Sequence, residues 1–272
     1  MKAPRGVLKW GQEGKVLRLK KGLYGLKQAG RGWYLEMSRV FLKELGFTRL
    51  AIDHSVFFHR DGEAHTIVAV ATDNMAITSK RVVDAEKFKS DIRKFWEITD
   101  HGPINWFLGF QIKRKAKTIS INQCVYIEGI VEKFRLTGAK LVSMPMEPGA
   151  QFSVDQCPST INQSAKMRGV PYSEAISSVL WPVVVLRPDT MYAVGILSQY
   201  IQNPGPAHWK GLKRVINYLG STKNLWLTFG GQKETLVEGF CNADWAGQKH
   251  RHLISRFSFH FGVGTVSWSS KK

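Results

Sequence analysis

This sequence has few cysteines, few acidic residues and no long apolar run. Its three cysteines, Cys124, Cys157 and Cys241, are scattered and form no Cys-x-x-Cys pair, so neither a disulfide framework nor a zinc site is indicated. No run of about 18 apolar residues exists and no apolar signal region follows Met1. We therefore expect an intracellular protein, cytoplasmic or nuclear, with no membrane partner.

The shortage of acidic residues is uneven along the chain. Lysine and arginine total 39 against 21 aspartates and glutamates, which gives a net charge of +18. Residues 1–50 hold 12 basic and 3 acidic side chains, 51–200 hold 17 and 15, and 201–272 hold 10 and 3. Basic ends favour a polyanion, nucleic acid first. A basic protein that merely stays soluble is the alternative, and an anionic membrane surface comes third because no clean basic amphipathic helix stands out.

Apolar periodicity predicts a mixed fold with a real core, since 43% of the 272 residues are hydrophobic. Helical spacing covers 29–45, 83–96, 123–134, 172–185, 190–200 and 207–219. Strand-like runs cover 55–58, 66–71, 75–78, 106–113, 118–122, 225–229, 236–241, 257–261 and 265–268. Residues 137–170 are rich in Pro, Ser, Gln and Gly, which predicts a linker or a long surface loop.

The stretch from Lys20 to Tyr34 combines four cations, three aromatic residues and four glycines in fifteen positions. Glycines let the backbone approach a ligand closely. Cations contact phosphates and aromatic faces stack on bases. The composition therefore indicates contact with a nucleotide or a nucleic acid.

A second notable segment is Ala71-Thr72-Asp73-Asn74, which lies between two strand-like runs. This position predicts the tip of a tight hairpin. An Asp-Asn pair alone is an ordinary turn signal. Carboxylates at a hairpin tip are, however, a common way to hold the divalent cations of nucleotidyl transfer.

The order of residues adds a resemblance to a known family. One segment reads Leu23-Tyr24-Gly25-Leu26-Lys27-Gln28-Ala29 and continues with Arg31 and Trp33-Tyr34. It resembles the motif, here called the gripping motif, that holds the nucleotide and the template in copia-type LTR retrotransposon reverse transcriptases. Asp73-Asn74 resembles that family's Tyr-Val-Asp-Asp tip. Further segments resemble the same Pol polyproteins in the same order: 106–110, 139–145, 171–176, 187–189, 203–209, 242–247 and 266–272.

The resemblance implies an α+β fold. It would comprise a partial palm with an antiparallel sheet, a helical thumb or connection, and the start of an RNase H-like sheet. The implied divisions are 1–136 for the palm and thumb, 137–170 for the linker or long loop, 171–220 for the helical connection and 221–272 for a truncated RNase H-like domain. An upstream polyprotein segment is implied as well.

The resemblance also implies the activity, RNA-directed DNA polymerase with RNase H, which uses Mg²⁺ and acts on RNA, DNA or RNA–DNA hybrids. It implies metal-binding and catalytic roles for Asp73 and a metal-binding role for Asp244. The nucleic-acid and substrate contacts that it implies are Tyr24, Lys27, Gln28, Arg31, Leu108 and Gly109. Tyr24 and Gln28 would line the nucleotide or template site, and Lys27 and Arg31 would contact phosphates.

Several departures from the family pattern bear on activity. Asn74 and Asn242 stand where the family has metal-site aspartates, and Gly30 replaces a proline. The strand that carries the family's first polymerase aspartate would lie before this chain, and the later RNase H carboxylates would lie beyond Lys272. We therefore expect a degenerate, catalytically inactive copy that binds no Mg²⁺ productively.

Two alternatives stay open. The chain can be a nucleic-acid-binding remnant without chemistry. It can also be an active polymerase that is completed by a partner carrying the missing strand.

Overall fold

A computed structural model describes Val16 and residues 18–231, 237–244 and 254–271. It combines seven helices with three antiparallel sheets among these residues, so the predicted α+β class is confirmed. The chain divides into two compact units, with the boundary between Gly102 and Pro103. No helix in this part of the chain is both long enough and apolar enough to cross a membrane.

The first unit pairs two helices with a four-stranded sheet of order β1-β2-β3-β4. Its elements are α1 (Ala29–Arg39), a π-helical turn (Val40–Glu44), β1 (Thr48–Arg49), β2 (Val56–Asp61), β3 (Ala64–Ala71), β4 (Asn74–Ser79) and α2 (Val82–Ile92). The predicted helix 29–45 is confirmed. It ends where Gly46 turns left-handed at φ 67° and the N–H of Phe47 returns to the Phe41 carbonyl at 2.8 Å.

The core of the first unit lies between α1, α2 and one face of the sheet. Thr66, Val68 and Val70 are buried on alternate positions of β3, as the period of two requires. Phe41 and Phe57 are fully buried, with ring centroids 4.6 Å apart. Each such burial stabilises the fold by about 2–3 kcal/mol.

The second unit contains a four-stranded sheet of order β5-β6-β7-β8, a three-stranded sheet of order β11-β10-β9, and five helices. Its strands are β5 (Trp106–Phe107), β6 (Phe110–Lys115), β7 (Thr118–Asn122), β8 (Leu227–Gly230), β9 (Val237–Asp244), β10 (Ile254–Phe261) and β11 (Gly264–Lys271). Its helices are α3 (Cys124–Lys133), α4 (Ile161–Met167), α5 (Tyr172–Val185), α6 (Met191–Ser198) and α7 (Pro206–Ser221). The helical periods and the C-terminal strand pattern are thus confirmed.

Helices α3, α5, α6 and α7 share one apolar core. Pro182 lies inside α5 and has no N–H to give to the carbonyl of Ser178, four residues earlier. The Tyr126 hydroxyl of α3 donates to that carbonyl at 3.2 Å instead. The contact between α3 and α5 therefore satisfies the group that proline leaves open.

Two segments differ from the sequence-based expectation. The run 106–113 is not one strand, because Leu108 and Gly109 both have positive φ (50° and 81°) and form a two-residue turn between β5 and β6. The segment 137–170 contains α4 and a short 3₁₀ turn (Val154–Gln156). Met146 and Phe152 pack against the helical core, so part of this segment is held by burial that its polar composition did not indicate.

Candidate functional site

The hairpin between β3 and β4 has its tip where the sequence predicted it. Ala71 pairs with Asn74, which leaves Thr72 and Asp73 as a two-residue turn. Thr72 has φ 57°, the left-handed region that a β-branched residue rarely adopts. Such strain persists only where the surroundings hold the backbone. The Asp73 carboxylate is exposed at this tip.

The gripping motif contacts the β3–β4 hairpin tip through Tyr24. Leu23 to Leu26 forms a tight turn, closed by the Leu26 N–H to the Leu23 carbonyl at 3.3 Å, and Gly25 supplies the positive φ of 85°. Tyr24 is 88% exposed, and its hydroxyl lies 3.4 Å from a carboxylate oxygen of Asp73, to which it donates. Residues 49 positions apart in sequence thus form one surface.

Trp33 belongs both to the core of the first unit and to this site. Its ring is half-buried and lies 5.0 Å from that of Trp96. Its Nε1–H also donates to the Thr72 carbonyl at 2.6 Å. A tryptophan N–H that is removed from water usually finds a hydrogen-bond acceptor. The residue type therefore indicated that Trp33 would donate a hydrogen bond, but it did not indicate the acceptor.

Lys27, Gln28 and Arg31 surround the start of α1, and all three are exposed. Gln28 occupies the N-cap position, although its side chain makes no capping bond. The first turn of α1 carries no acidic residue. The positive end of the helix dipole and the two cations therefore produce a field that attracts anions. Gly30 is the second residue of α1, a position where the family's proline would also be tolerated.

The hairpin tip offers fewer oxygen ligands than two divalent cations need. Hard cations take oxygen ligands, and a pair of them needs several carboxylates. The four tip residues, 71–74, offer the Asp73 carboxylate and the neutral Asn74 amide. No group of three or more His, Cys, Asp and Glu residues suited to a metal occurs in the described part of the chain. These donors do not fit a two-metal centre.

The other predicted contacts belong to the second unit. Leu108 and Gly109 form the turn between β5 and β6, in which Leu108 is 47% exposed and Gly109 is half-buried. Asn242 lies in β9 opposite Arg256, two residues before the strand ends. Asp244 closes β9 through backbone pairing with Ile254, and its side chain lies outside the described atoms.

Comparison with known proteins decides the family. A family model described as reverse transcriptase (RNA-dependent DNA polymerase) matches residues 1–148, more than half of the chain. The chain belongs to the reverse transcriptase family. Over its whole length it is 35% identical to the retrovirus-related Pol polyprotein from transposon TNT 1-94 of Nicotiana tabacum, and 30% identical to that from transposon RE1 of Arabidopsis thaliana.

The chain therefore resembles copia-type transposon Pol polyproteins, as the motifs indicated. It spans about a fifth of those two relatives, 21% and 18% of their lengths. A putative transposon Ty5-1 protein of Saccharomyces cerevisiae is 25% identical and is covered over 87% of its length. No solved structure matches the chain.

Proposed function

We propose that this chain is a degenerate copia-type reverse transcriptase domain, in which Tyr24, Lys27, Arg31 and the Asp73 tip form the remains of the polymerase's nucleotide and template site, and that it lacks polymerase activity of its own. The first unit would be palm-like, and the helices of the second unit would supply the thumb and connection. The observation that carries the proposal is the contact between Tyr24 and Asp73, since it joins the gripping motif to the hairpin tip.

The inactivity rests on Asn74. Phosphoryl transfer is driven mainly by positioning and by electrostatic stabilisation of developing charge. An amide at position 74 supplies an oxygen but no negative charge, so the tip holds cations more weakly than a pair of carboxylates would. The family's polymerase reaction uses Mg²⁺, but this chain would not bind Mg²⁺ productively.

Primer extension tests this proposal. The purified chain is assayed on poly(rA)·oligo(dT) with magnesium or manganese, beside N74D and D73A. We expect no product from the unmodified chain. Product from N74D alone would support Asn74 as the blocking change. Template-dependent product from the unmodified chain that disappears in D73A would contradict the proposal.

A second candidate, nucleic-acid binding without any chemistry, is favoured by the exposed cations of the gripping segment. Lys20, Lys21, Lys27 and Arg31 are all exposed, and Tyr24 offers an aromatic face among them. Each cation that neutralises a phosphate releases counterions, which makes affinity fall with salt. Such binding would tolerate many sequences, because phosphates carry no sequence information.

The salt dependence of binding tests the second candidate. Changing these four residues to alanine should flatten the slope of log affinity against log salt by up to about four phosphate contacts. The matched control changes Lys43, Arg60, Lys87 and Arg93, four exposed cations elsewhere in the first unit. The control should flatten the slope far less. Equal slopes for the two variants, or no binding at low salt, would sink this candidate.

A further inference from the structure

One face of the C-terminal three-stranded sheet is apolar and exposed, although an antiparallel sheet usually turns its polar face to water. Strand β10 ends with the sequence Phe257-Ser258-Phe259-His260-Phe261. Its three phenylalanines alternate along the strand, so they share one face, and they are 40–43% exposed. The residues between them lie on the opposite face and are half-buried. The usual placement of apolar and polar side chains is therefore reversed in this strand.

The opposite face of the sheet packs on the helices of the second unit. The Arg256 guanidinium lies 4.0 Å from the centre of the Tyr192 ring of α6. Trp268 of β11 pairs with Ser258, and its Nε1–H donates to the Val183 carbonyl of α5 at 3.0 Å. Because these contacts attach the sheet through its polar face, the phenylalanines point away from the helices.

The neighbours of the three phenylalanines in the sheet carry no charge. Register places Val237, Gly239 and Cys241 of β9 beside them on one side, and Ser267 and Ser269 of β11 on the other. Among the described residues of these strands, the nearest charge on this face is that of Lys271, one residue pair beyond Phe257. A lack of charge is typical of the centre of an interface, and this chain has a net charge of +18. The phenylalanine face is defined here as Phe257, Phe259, Phe261, Val237, Gly239, Cys241, Ser267 and Ser269.

The phenylalanine face has a ridge and a trough. A Cβ on Gly239 would lie 2.6 Å from a ring carbon of Phe259, which shows that this ring leans toward β9. The Phe257 ring lies beside it, with centroids 5.6 Å apart. On the other side of β10, the small side chains of Ser267 and Ser269 leave a shallow trough along β11. The face therefore carries a convex and a concave strip side by side.

We propose that the phenylalanine face binds the same face of a second copy of this chain. About a two-fold axis, the ridge of each copy would fill the β11 trough of the other, which is the self-complementarity that a two-fold interface requires. Two sheets pack face to face in this way in β-sandwiches. A strongly charged partner would gain no electrostatic complementarity from this neutral face. Two copies that meet here keep their like charges apart.

The exposed area predicts a weak dimer. A phenylalanine side chain presents about 200 Å², so the three rings together expose roughly 250 Å² of apolar surface. Exposed apolar patches of a few hundred Å² mark interaction sites. A standard interface buries about 800 Å² on each partner, so we expect a Kd of about 10–100 µM for this smaller one. The surface is separate from the Tyr24–Asp73 site, and the proposal does not depend on the proposed function.

Sedimentation velocity of the full chain between about 2 and 300 µM tests the proposal. The sample is first treated with nuclease, because nucleic acid can bridge two basic chains. We expect a reversible monomer–dimer equilibrium that tightens between about 0.15 and 1 M salt, since salt screens the repulsion between the copies. A dimer that dissociates at high salt would be held by charges, and a chain that stays monomeric at about 300 µM has no such interface. Either result would overturn the proposal.

Two variants and a matched control locate the contact. F257T removes one ring of the ridge while keeping a residue that favours strands, and it should weaken association about tenfold. S267K adds a cation to the trough and should weaken association by at least about tenfold. The control is F240T, because Phe240 is 60% exposed on the opposite face of the same sheet. Equal losses in F257T and F240T would refute the proposal.

A conservative variant keeps the test independent of folding defects. S267C is nearly isosteric, and its alkylation by iodoacetamide under reducing conditions can be followed by mass spectrometry of each peptide. This alkylation should slow about fivefold between about 2 and 300 µM chain, because the dimer covers the trough. Cys124, which is half-buried on α3, should react at the same rate throughout. A constant rate at position 267 would contradict the proposal.

A membrane is the other occupant that an apolar face could take. The monomer at about 2 µM is therefore sedimented with phosphatidylcholine vesicles, and we expect it to stay in the supernatant. If the unmodified chain sediments with the vesicles and F257T does not, the face belongs to lipid and the proposal is wrong.

Discussion

The indole Nε1–H of Trp33 and the carbonyl of Thr72 are joined by a 2.6 Å hydrogen bond across 39 residues of sequence. Trp33 belongs to α1, and Thr72 is the strained residue of the hairpin tip. The bond holds the backbone immediately before Asp73. The helix that carries Arg31, one of the proposed nucleic-acid contacts, thereby fixes the turn that presents the Asp73 carboxylate.

Trp33→Phe should loosen this tip. The phenyl ring keeps apolar contact with Trp96 but cannot donate to Thr72, so we expect a loss of about 1 kcal/mol in the free energy of unfolding. Amide hydrogen exchange of the 70–76 segment should become faster. W96F removes an indole from the same pair and is the control. If both variants exchange this segment at the same rate, the bond does not hold the tip.

Gly205→Ala should destabilise the second unit. Gly205 precedes α7, and a Cβ there would overlap the carbonyl oxygen of Gln156 and lie 2.9 Å from its carbonyl carbon. Backbone must then move, at a cost of about 3 kcal/mol. The control is G129A in α3, where nothing lies within 4 Å of the new Cβ and alanine should stabilise by about 0.5–1 kcal/mol. Denaturant unfolding measures both, and opposite signs are expected.

Asp189→Asn should leave a buried cation poorly compensated. The Arg187 side chain is 6% exposed, and it donates to both Asp189 oxygens at 3.0 and 2.7 Å. Tyr218 donates to Asp189 as well, at 2.8 Å. Breaking such a pair costs about 3 kcal/mol, mainly because Arg187 stays charged. E174Q breaks the exposed pair with Lys133 and should cost less than about 1 kcal/mol. Equal losses in unfolding free energy would refute this account.

Stability should fall on mild acidification because of His208. This side chain is fully buried at the start of α7, and burial lowers its pKa below 6.5. Near and somewhat below pH 6.5, His208 therefore binds a proton in the unfolded chain but not in the folded chain. Unfolding free energy should be highest above about pH 6.5 and should decrease below it, by up to about 1.4 kcal/mol per pH unit.

His208→Gln should flatten this pH dependence between about pH 5.5 and 7.5. Gln can retain the bond that His208 Nδ1 accepts from the Gly205 N–H at 2.9 Å, as in a capping box. H101Q removes an exposed histidine in the first unit and is the control. An unchanged pH profile in H208Q would show that another group titrates.

Most helices and strands followed from the sequence because their signals are local. Gly46 ends the first helical pattern, Pro206 begins α7, and the alternation in 66–71 gives β3 its buried face. The hairpin tip at Thr72-Asp73 followed for the same reason. The turn at Leu108-Gly109 did not follow from the sequence, because leucine rarely adopts the positive φ that it has here and so gives no turn signal.

The sequence by itself determined the family, the α+β class and the identity of the charged and aromatic residues in the gripping segment. Tertiary structure alone decided that Trp33 holds Thr72, that Arg187 and Asp189 form a buried pair, and that Asn242 faces Arg256. Except for the local Arg187–Asp189 pair, these relationships join residues far apart in the chain. All three depend on burial or strand register, which no local pattern encodes.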